Sequence, residues 1–417
     1  MKILMVNKFH FINGGSETYH FALADMLMHA GNEVVFFSMQ DERNFPCVQG
    51  KYFVPNVDYK GKQSPLQQIK AGLKFIYSFD ARKRISKLLD EEKPDIAHVN
   101  LVHRQLTFSV IDEIHKRGIP IVYTIHDYIC ICPNYFMLTK GKPCEQCVTT
   151  GNFIHCIKNN CVKSSKVKSV LAYLEALFLT RTKRYNKIDR YIAPSQFVCE
   201  KYKASGFSKA PVTFIRNFLP KDTEYNPKPV FGGYLLFFGR LLPEKGVMTL
   251  LKAMALVNDV ELRIAGEGEL RPEMEKFIES NNMANRVKLL GYQDRKSMAE
   301  TVSKCKAVVV PSEWYENCPY SIMEAQAQGK PVIGADIGGI PELIVDGKTG
   351  FVFKAHSIES LERSIRQLVN CKENEYRKMS SAVIEFAREN YCHKSYIYEL
   401  TNLYGSLTKT NIMNKKV

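Results

Sequence analysis

Two carboxylates, Glu316 and Glu324, stand eight positions apart within 308–350, VVVPSEWYENCPYSIMEAQAQGKPVIGADIGGIPELIVDGKTG. Paired acids suggest glycoside chemistry, and their separation decides which kind. Retaining glycosidases hold their carboxyls about 5 Å apart and inverting ones about 6.5–9.5 Å. Eight residues at a helical rise span about 12 Å. That is too far for a hydrolytic pair, but it suits the two ends of one elongated ligand. Between the acids, Pro319 sits where a helix can begin and Asn317 can cap it; the helix runs through Ser321–Gln328 and stops at Gly329, with Pro331 beyond. The N-terminus of such a helix attracts phosphate. Hydroxyls, then phosphates, then hydroxyls describe a nucleotide-sugar.

Other residues repeat the theme. Arg240 and Lys245 leave a strand end together in Gly239-Arg-Leu-Leu-Pro-Glu-Lys-Gly246. A guanidinium fork and an ammonium point charge could clamp a diphosphate. Gly14-Gly15 allows close backbone approach to a ligand. The pattern there is not GxGxxG, so it carries no dinucleotide fingerprint. His126 and Asp127 end an apolar strand, where ligands bind in doubly wound sheets. His103 follows another strand end and is a candidate for the acceptor side. Six of the twelve cysteines lie in 130–161, with a Cys144-x-x-Cys147 knuckle. Four of Cys132, Cys144, Cys147, Cys156 and Cys161 could hold a structural zinc, with His155 spare. Free thiols, an iron–sulfur cluster and disulfides are the alternatives. The connecting segments are too poor in apolar residues to make a core of their own.

The run Glu316-Asn-Cys-Pro-Tyr-Ser-Ile-Met-Glu324 resembles the E-x7-E signature of retaining glycosyltransferases with the GT-B fold, most closely glycosyltransferase family 4. Pro311-Ser312, Gly329-Lys-Pro-Val332, Gly338-Gly339-Ile-Pro-Glu342, Asp346–Gly350 and the Gly239–Gly246 loop fit the same family in the expected order. The resemblance implies two Rossmann-like, doubly wound parallel-sheet domains facing a central cleft. It implies catalytic roles for His126, Arg240, Lys245 and Glu316. It implies donor contacts from Gly14, Gly15, Gly239, Arg240, Lys245, Glu267, Asn317, Cys318, Pro319, Tyr320 and Glu324. Glu316 would hold sugar hydroxyls and Glu324 the ribose diol, with the departing phosphate taking the acceptor's proton. No Asp-x-Asp motif is present, so no divalent metal is expected in catalysis. The cysteine-rich segment is similar to an insert found in a subset of bacterial polysaccharide glycosyltransferases.

These residues need a scaffold. At 417 residues the chain exceeds one ordinary core. Lys2–Val6, Gly14-Gly15, Glu17–Ala30 and Glu33–Ser38 read as a βαβ unit, with strands at Pro94–Asn100 and Pro120–Asp127 beyond it. The Pro- and Gly-bearing stretch 217–233 reads as a linker. A second strand series starts at Tyr234–Phe238. The expected organisation is an acceptor-side domain 1–216 with an insert at 130–162, a linker 217–233, a donor-binding domain 234–390, and a segment 391–417 crossing back to the first domain. The crossing piece would be Tyr396–Leu407, with a frayed polar tail at Thr408–Val417.

Composition narrows the partners. The apolar fraction, 45%, is ordinary, but 58 Lys+Arg against 43 Asp+Glu give a net charge of +15. That predicts attraction to something anionic. A basic helical piece around Pro65–Leu89 and a longer one at Lys163–Asp189 could lie on an anionic membrane surface. Lys2–Val6 is too short for a secretory h-region, and no run approaches the ~20 apolar residues of a membrane span. The reading is a cytoplasmic bacterial enzyme, peripheral at the inner face of the plasma membrane, with no nucleic-acid partner. It would move a sugar from a nucleoside-diphosphate-sugar to a hydroxyl of a lipid-linked saccharide in surface polysaccharide synthesis. The rivals are a nucleotide-sugar epimerase of the same fold and a non-catalytic polyanion-binding protein.

Overall fold

The structure is a computed structural model and describes residues 1–56, 72, 74–226 and 230–414. It divides into two compact units. One holds residues 1–139, 144–221 and 393–417; the other holds residues 140–143 and 222–392.

The first unit is built on strands β1 (Lys2–Val6), β2 (Glu33–Phe37), β3 (Ile96–Val99) and β4 (Ile121–Thr124). Two short strands follow in the chain, β5 (Leu138–Thr139) in this unit and β6 (Lys142–Pro143) among the residues 140–143 of the other; then come β7 (Arg190–Ala193) and β8 (Val212–Phe214). Six of these make one parallel sheet in the order β2-β1-β3-β4-β7-β8. Every residue of β3 and β4 is buried, as expected of parallel strands covered on both faces. The helices are α1 (Gly15–His29), α2 (Phe79–Glu92), α3 (Ser109–Lys116), α4 (Gln146–Thr150), α5 (Ile154–Lys158), α6 (Lys166–Arg181) and α7 (Gln196–Ser205). Ser78, Ser165 and Ser195 start α2, α6 and α7 by accepting the N–H groups of Ala81, Lys168 and Val198. Each such cap contributes about 1 kcal/mol.

Both basic helices differ from the sequence expectation. Of the 65–89 piece, residues 65–71 and 73, including Lys70 and Leu73, lie outside the described residues. The remainder breaks at Tyr77-Ser78, because Ser78 begins a new helix there. The 163–189 pattern ends at Arg181, and Lys183 in a left-handed conformation (φ 53°) starts a separate 3-10 turn at Arg184–Lys187. Along α6, Leu179 is buried while Val167 and Leu174 are exposed. Part of the expected surface stripe is therefore core. The C-terminal helix, His393–Asn414, packs in the first unit and extends past Thr408, where fraying was expected to start; residues 415–417 of that tail lie outside the described residues.

The second unit carries β9 (Tyr234–Phe238), β10 (Glu261–Ala265), β11 (Val287–Gly291), β12 (Ala307–Val310), β13 (Val332–Ala335) and β14 (Gly350–Phe353). They form a parallel sheet ordered β11-β10-β9-β12-β13-β14. Helices α8 (Val247–Ala255), α9 (Arg271–Ser280), α10 (Arg295–Lys304), α11 (Tyr320–Ala327), α12 (Ile358–Val369) and α13 (Glu373–Asn390) connect and flank the strands. Chain order reverses between β9 and β12, which makes their carboxyl ends the switch point where ligands bind in such sheets. Parts of the 217–233 stretch are fastened to this unit. Asn226 N–H donates to Ala327 O at 3.0 Å, Gln328 Nε2 to Glu224 O at 2.8 Å and Lys330 Nζ to Val230 O at 2.8 Å.

Candidate active site

The loops leaving β9 and β12 carry the acids and bases singled out in the sequence. Lys245, in the 3-10 turn Pro243–Lys245, meets Glu316 at 2.6 Å. Glu316 Oε1 also accepts the Ser312 hydroxyl at 2.8 Å, and Lys245 lies over the Trp314 ring. Glu316 is only 6% exposed. Burial alone would raise its carboxyl. The Lys245 charge, with hydrogen bonds from Lys245, Ser312 and Trp314, outweighs burial and holds it below the ordinary glutamate value. The two loops are pinned by glycines. Gly246 has φ +67°, and a Cβ there would fall 1.8 Å from Pro311 O. Gly338 has φ +61°, and its Cβ would fall 2.5 Å from Glu316 O. Gly339 N–H donates to that same oxygen at 2.7 Å.

Glu316 does not sit on the helix. α11 starts at Tyr320, with Pro319 rather than Asn317 at its cap. The helical-rise estimate of about 12 Å between the acids therefore does not describe their separation. Pro319 cannot continue the helix backward, so 316–319 is loop. Glu324 lies within α11 and has no side-chain hydrogen bond or ion pair among the described residues. Its surface meets solvent, yet crowding by protein raises its carboxyl to about 7 against the pull of Arg295. Water screens the rest of that cost. Arg240 is exposed and likewise makes no side-chain bond or ion pair among the described residues. Glu267, by contrast, is paired with Arg271 at 2.7 Å. The Cys318 thiol turns inward onto the Met323 sulfur at 3.7 Å, leaving only backbone for a ligand.

In the first unit, Asn100 was missed in the sequence and organises the strand ends. Its Oδ1 accepts His126 Nε2–H at 2.7 Å, and its Nδ2 lies 3.0 Å from His20 Nδ1. With the amide placed this way, His126 carries its proton on Nε2. Burial pushes His126 down to about 3, so its imidazole is neutral. The Tyr19 ring packs edge-on against His126 at 5.0 Å. The Tyr19 hydroxyl bonds Thr124 Oγ1 at 3.0 Å and the Tyr396 hydroxyl of the C-terminal helix. Thr124 also bonds His98 Nε2 at 2.8 Å, and His98 Nδ1 meets the Tyr404 hydroxyl. His103 is 8% exposed and packs on Phe108 and Tyr185.

Gly14-Gly15 opens α1, and a Cβ at Gly14 would meet nothing nearer than Glu17 Oε2 at 3.8 Å. Glu17, in that first turn, is 1% exposed and accepts from Asn7 Nδ2 at 3.3 Å and Ser16 Oγ at 3.0 Å. A carboxylate thus already faces the positive end of the helix where a donor contact was expected.

Arg104 ties the cysteine-rich segment to the sheet. It adopts φ 73°, donates to Pro133 O at 2.8 Å, pairs with Glu175 of α6 at 3.6 Å, and lies over the Phe75 and Tyr135 rings. None of the twelve cysteines forms a disulfide. Among the described residues no three His, Cys, Asp or Glu side chains stand close enough to share a metal ion. Cys132, Cys144, Cys147, Cys156 and Cys161, the thiols expected to supply a zinc site, nonetheless lie in one neighbourhood where they act on one another's charge. Cys147 and Cys156 pack with Val162 and Ala172, and with Cys161 and Phe153 beside them. The segment makes a small apolar core after all, because thiols pack as small hydrophobes. Burial raises Cys132 and Cys147 to about 12.

Comparison with known proteins agrees with this architecture. A family model described as Glycosyltransferase Family 4 matches residues 13–222, and one described as Glycosyl transferases group 1 matches residues 221–389. An uncharacterized glycosyltransferase of Methanocaldococcus jannaschii is 30% identical over 185 residues, 44% of this chain and 51% of that protein. The chain thus spans about half the length of that relative. An uncharacterized 42.6 kDa protein of the Klebsiella pneumoniae cps region is 24% identical over 355 residues, 82% of this chain and 87% of that protein. Among solved structures, Anabaena HepE in complex with UDP superposes with a TM-score of 0.67 at 19% identity, covering 97% of this chain and 100% of that one. The two parallel sheets are those of the GT-B fold, and the chain belongs to glycosyltransferase family 4.

Proposed function

We propose that the protein is a retaining hexosyltransferase. It moves a sugar from a nucleoside-diphosphate-sugar to a hydroxyl of a saccharide, lipid-linked, in surface polysaccharide assembly. The observation that carries this reading is the Lys245–Glu316 pair at the β9/β12 switch point, with Arg240 and Glu324 left uncommitted among the described residues. A diphosphate arriving there competes with Glu316 for Lys245. As the ammonium and the Arg240 guanidinium turn to phosphate, they stabilise the negative charge that grows on the leaving group. The released Glu316 oxygens accept from sugar hydroxyls. Glu324 accepts from the ribose diol, for which it must be ionised. The neutral His126, in the first unit, is the residue that orients the acceptor. UDP in the HepE complex and the cps-region relative support the donor class and the polysaccharide setting.

No described helix is long and apolar enough to cross a membrane. A lipid-linked acceptor is then met at the bilayer surface. Exposed Val167 and Leu174 on α6, flanked by Lys166, Lys168 and Arg181, supply an apolar and cationic contact for anionic lipid.

A thermal-shift screen across UDP- and GDP-sugars tests the reading. One donor class should raise Tm in wild type and in Glu316→Ala, but not in Glu324→Ala. Glu316→Ala should lose transfer more than binding. Full transfer by both variants would overturn the site assignment.

A further inference from the structure

The turn that joins α4 to α5 lies across from the last turns of α6, and a groove of about 380 Å³ opens between them. Its size falls within the range of small-molecule sites. Phe153, Tyr173 and Leu177 form its apolar walls, and Asn152, Thr180 and Arg181 supply its polar groups. Phe153 is held from behind, because it also packs on the core made by Cys147, Cys156, Val162 and Ala172. The cysteine-rich segment thus builds one wall of this groove, and all of the lining belongs to the first unit.

Charge and position narrow what the groove takes. Among the described residues that line it, none is acidic. Arg181 is exposed, and its guanidinium makes no hydrogen bond or ion pair among the described residues. The one acid of α6, Glu175, is buried and paired with Arg104 instead. Asn152 Oδ1 accepts the Ile154 N–H at 3.0 Å, which leaves its amide nitrogen as a donor. Residues three, four and seven apart share a helix face. Leu177 and Arg181 therefore stand beside Leu174, which with Val167 forms the exposed apolar strip of α6. The groove offers a cation, hydrogen-bond donors and an apolar wall at the edge of the strip proposed above to meet the bilayer.

On the transferase reading, whose acceptor side it deepens, we propose that this groove seats the acceptor's anchor: the phosphate through which a lipid carrier holds its saccharide, with the first carbons of the lipid chain. Arg181 pairs with the phosphate oxygens, joined by the Asn152 amide and the Thr180 hydroxyl. The chain leaves along Phe153, Tyr173 and Leu177 toward the bilayer. A soluble saccharide lacks both parts and gains nothing here. A free phosphate lacks the chain, whose apolar burial supplies the rest of the affinity.

The test titrates the full chain with farnesyl diphosphate. The nucleoside diphosphate of whichever donor raises Tm in the screen is present throughout, so that the donor site is filled. Farnesol and inorganic diphosphate, the two halves of the probe, are titrated beside it, as is dihexanoyl-phosphatidylglycerol, a soluble phospholipid. Farnesyl diphosphate should bind at least about tenfold more tightly than any of the three. Arg181→Ala should weaken it by about tenfold or more, as loss of a charge-assisted bond does, and Arg181→Lys should recover part. Leu177→Gln should weaken it as well. Arg181→Ala should leave Tm, donor affinity and donor hydrolysis unchanged. Binding within about threefold of wild type in both Arg181→Ala and Leu177→Gln overturns the proposal. So does equal affinity for either half of the probe, or for the phospholipid, which would make the groove a headgroup site. If no nucleotide-sugar raises Tm, it is the transferase reading that fails; the titrations then run without nucleotide and still decide the groove.

Discussion

On the proposed function, the Lys245–Glu316 pair serves both stability and chemistry. Its two side chains are only 20% and 8% exposed. Removing one partner of so buried a pair strands the other, at a cost of about 3–5 kcal/mol. Lys245→Ala should therefore lower stability by that order in urea melts, and Glu316→Gln in the same chain should restore part of it. The restored double variant should still lack transfer, which separates the two roles. Glu324 works in the opposite sense. Its carboxyl is raised to about 7 in the folded chain, above its unfolded value. The fold holds that proton where the unfolded chain has released it. Stability thus falls as pH rises from the unfolded value through about 7. Glu324→Gln should melt about 1–3 °C higher than wild type at pH 8, match it near pH 4, and bind donor poorly throughout. The identity of these acids and bases was legible in the sequence because the motif loops name them. Asn100 was not. A polar residue past a strand end looks like any other until His20 and His126 arrive on either side from α1 and β4.

At the level of elements, the site depends on loops pressed too close for side chains. Gly246→Ala would set a Cβ 1.8 Å from Pro311 O at a left-handed backbone. It should cost more than the roughly 1 kcal/mol of an ordinary glycine replacement and reduce donor affinity with it, measurable by thermal melt and titration. Strands, their parallel order of use and most helices could be read from apolar runs and stop signals. Helix ends could not always be read. Ser78 breaks a run that looks continuous, and Pro319 rather than Asn317 begins α11, so one cap residue outweighs a long periodic pattern. The cysteine-rich segment reads two ways for a related reason. Spacing suggests metal ligands, but thiols also pack as small apolar groups. Metal analysis of the purified protein decides between the two: bound zinc supports the ligand reading, and its absence supports the packing reading.

For the whole molecule, the C-terminal helix supplies two hydroxyls to the core of the first unit. Tyr396 meets Tyr19, and Tyr404 meets His98. Deleting the Tyr404 hydroxyl leaves the buried His98 Nδ1 unsatisfied, at about 1–3 kcal/mol. Tyr404→Phe should show that loss in denaturant melts while leaving donor affinity in place. The charge that suggested an anionic partner belongs to this scale too. Vesicles of anionic lipid should capture the wild type, and Val167→Glu with Leu174→Glu should lose that capture at unchanged Tm. The same helix has a consequence for biosynthesis. Residues 393–414 leave the ribosome only after all of the second unit, so the first sheet waits through some 170 residues with Tyr19 and His98 lacking their late partners. Emergence order and completion order are then inverted. The half translated second closes first, and a chain halted before residue 393 exposes the earlier half to chaperone and protease.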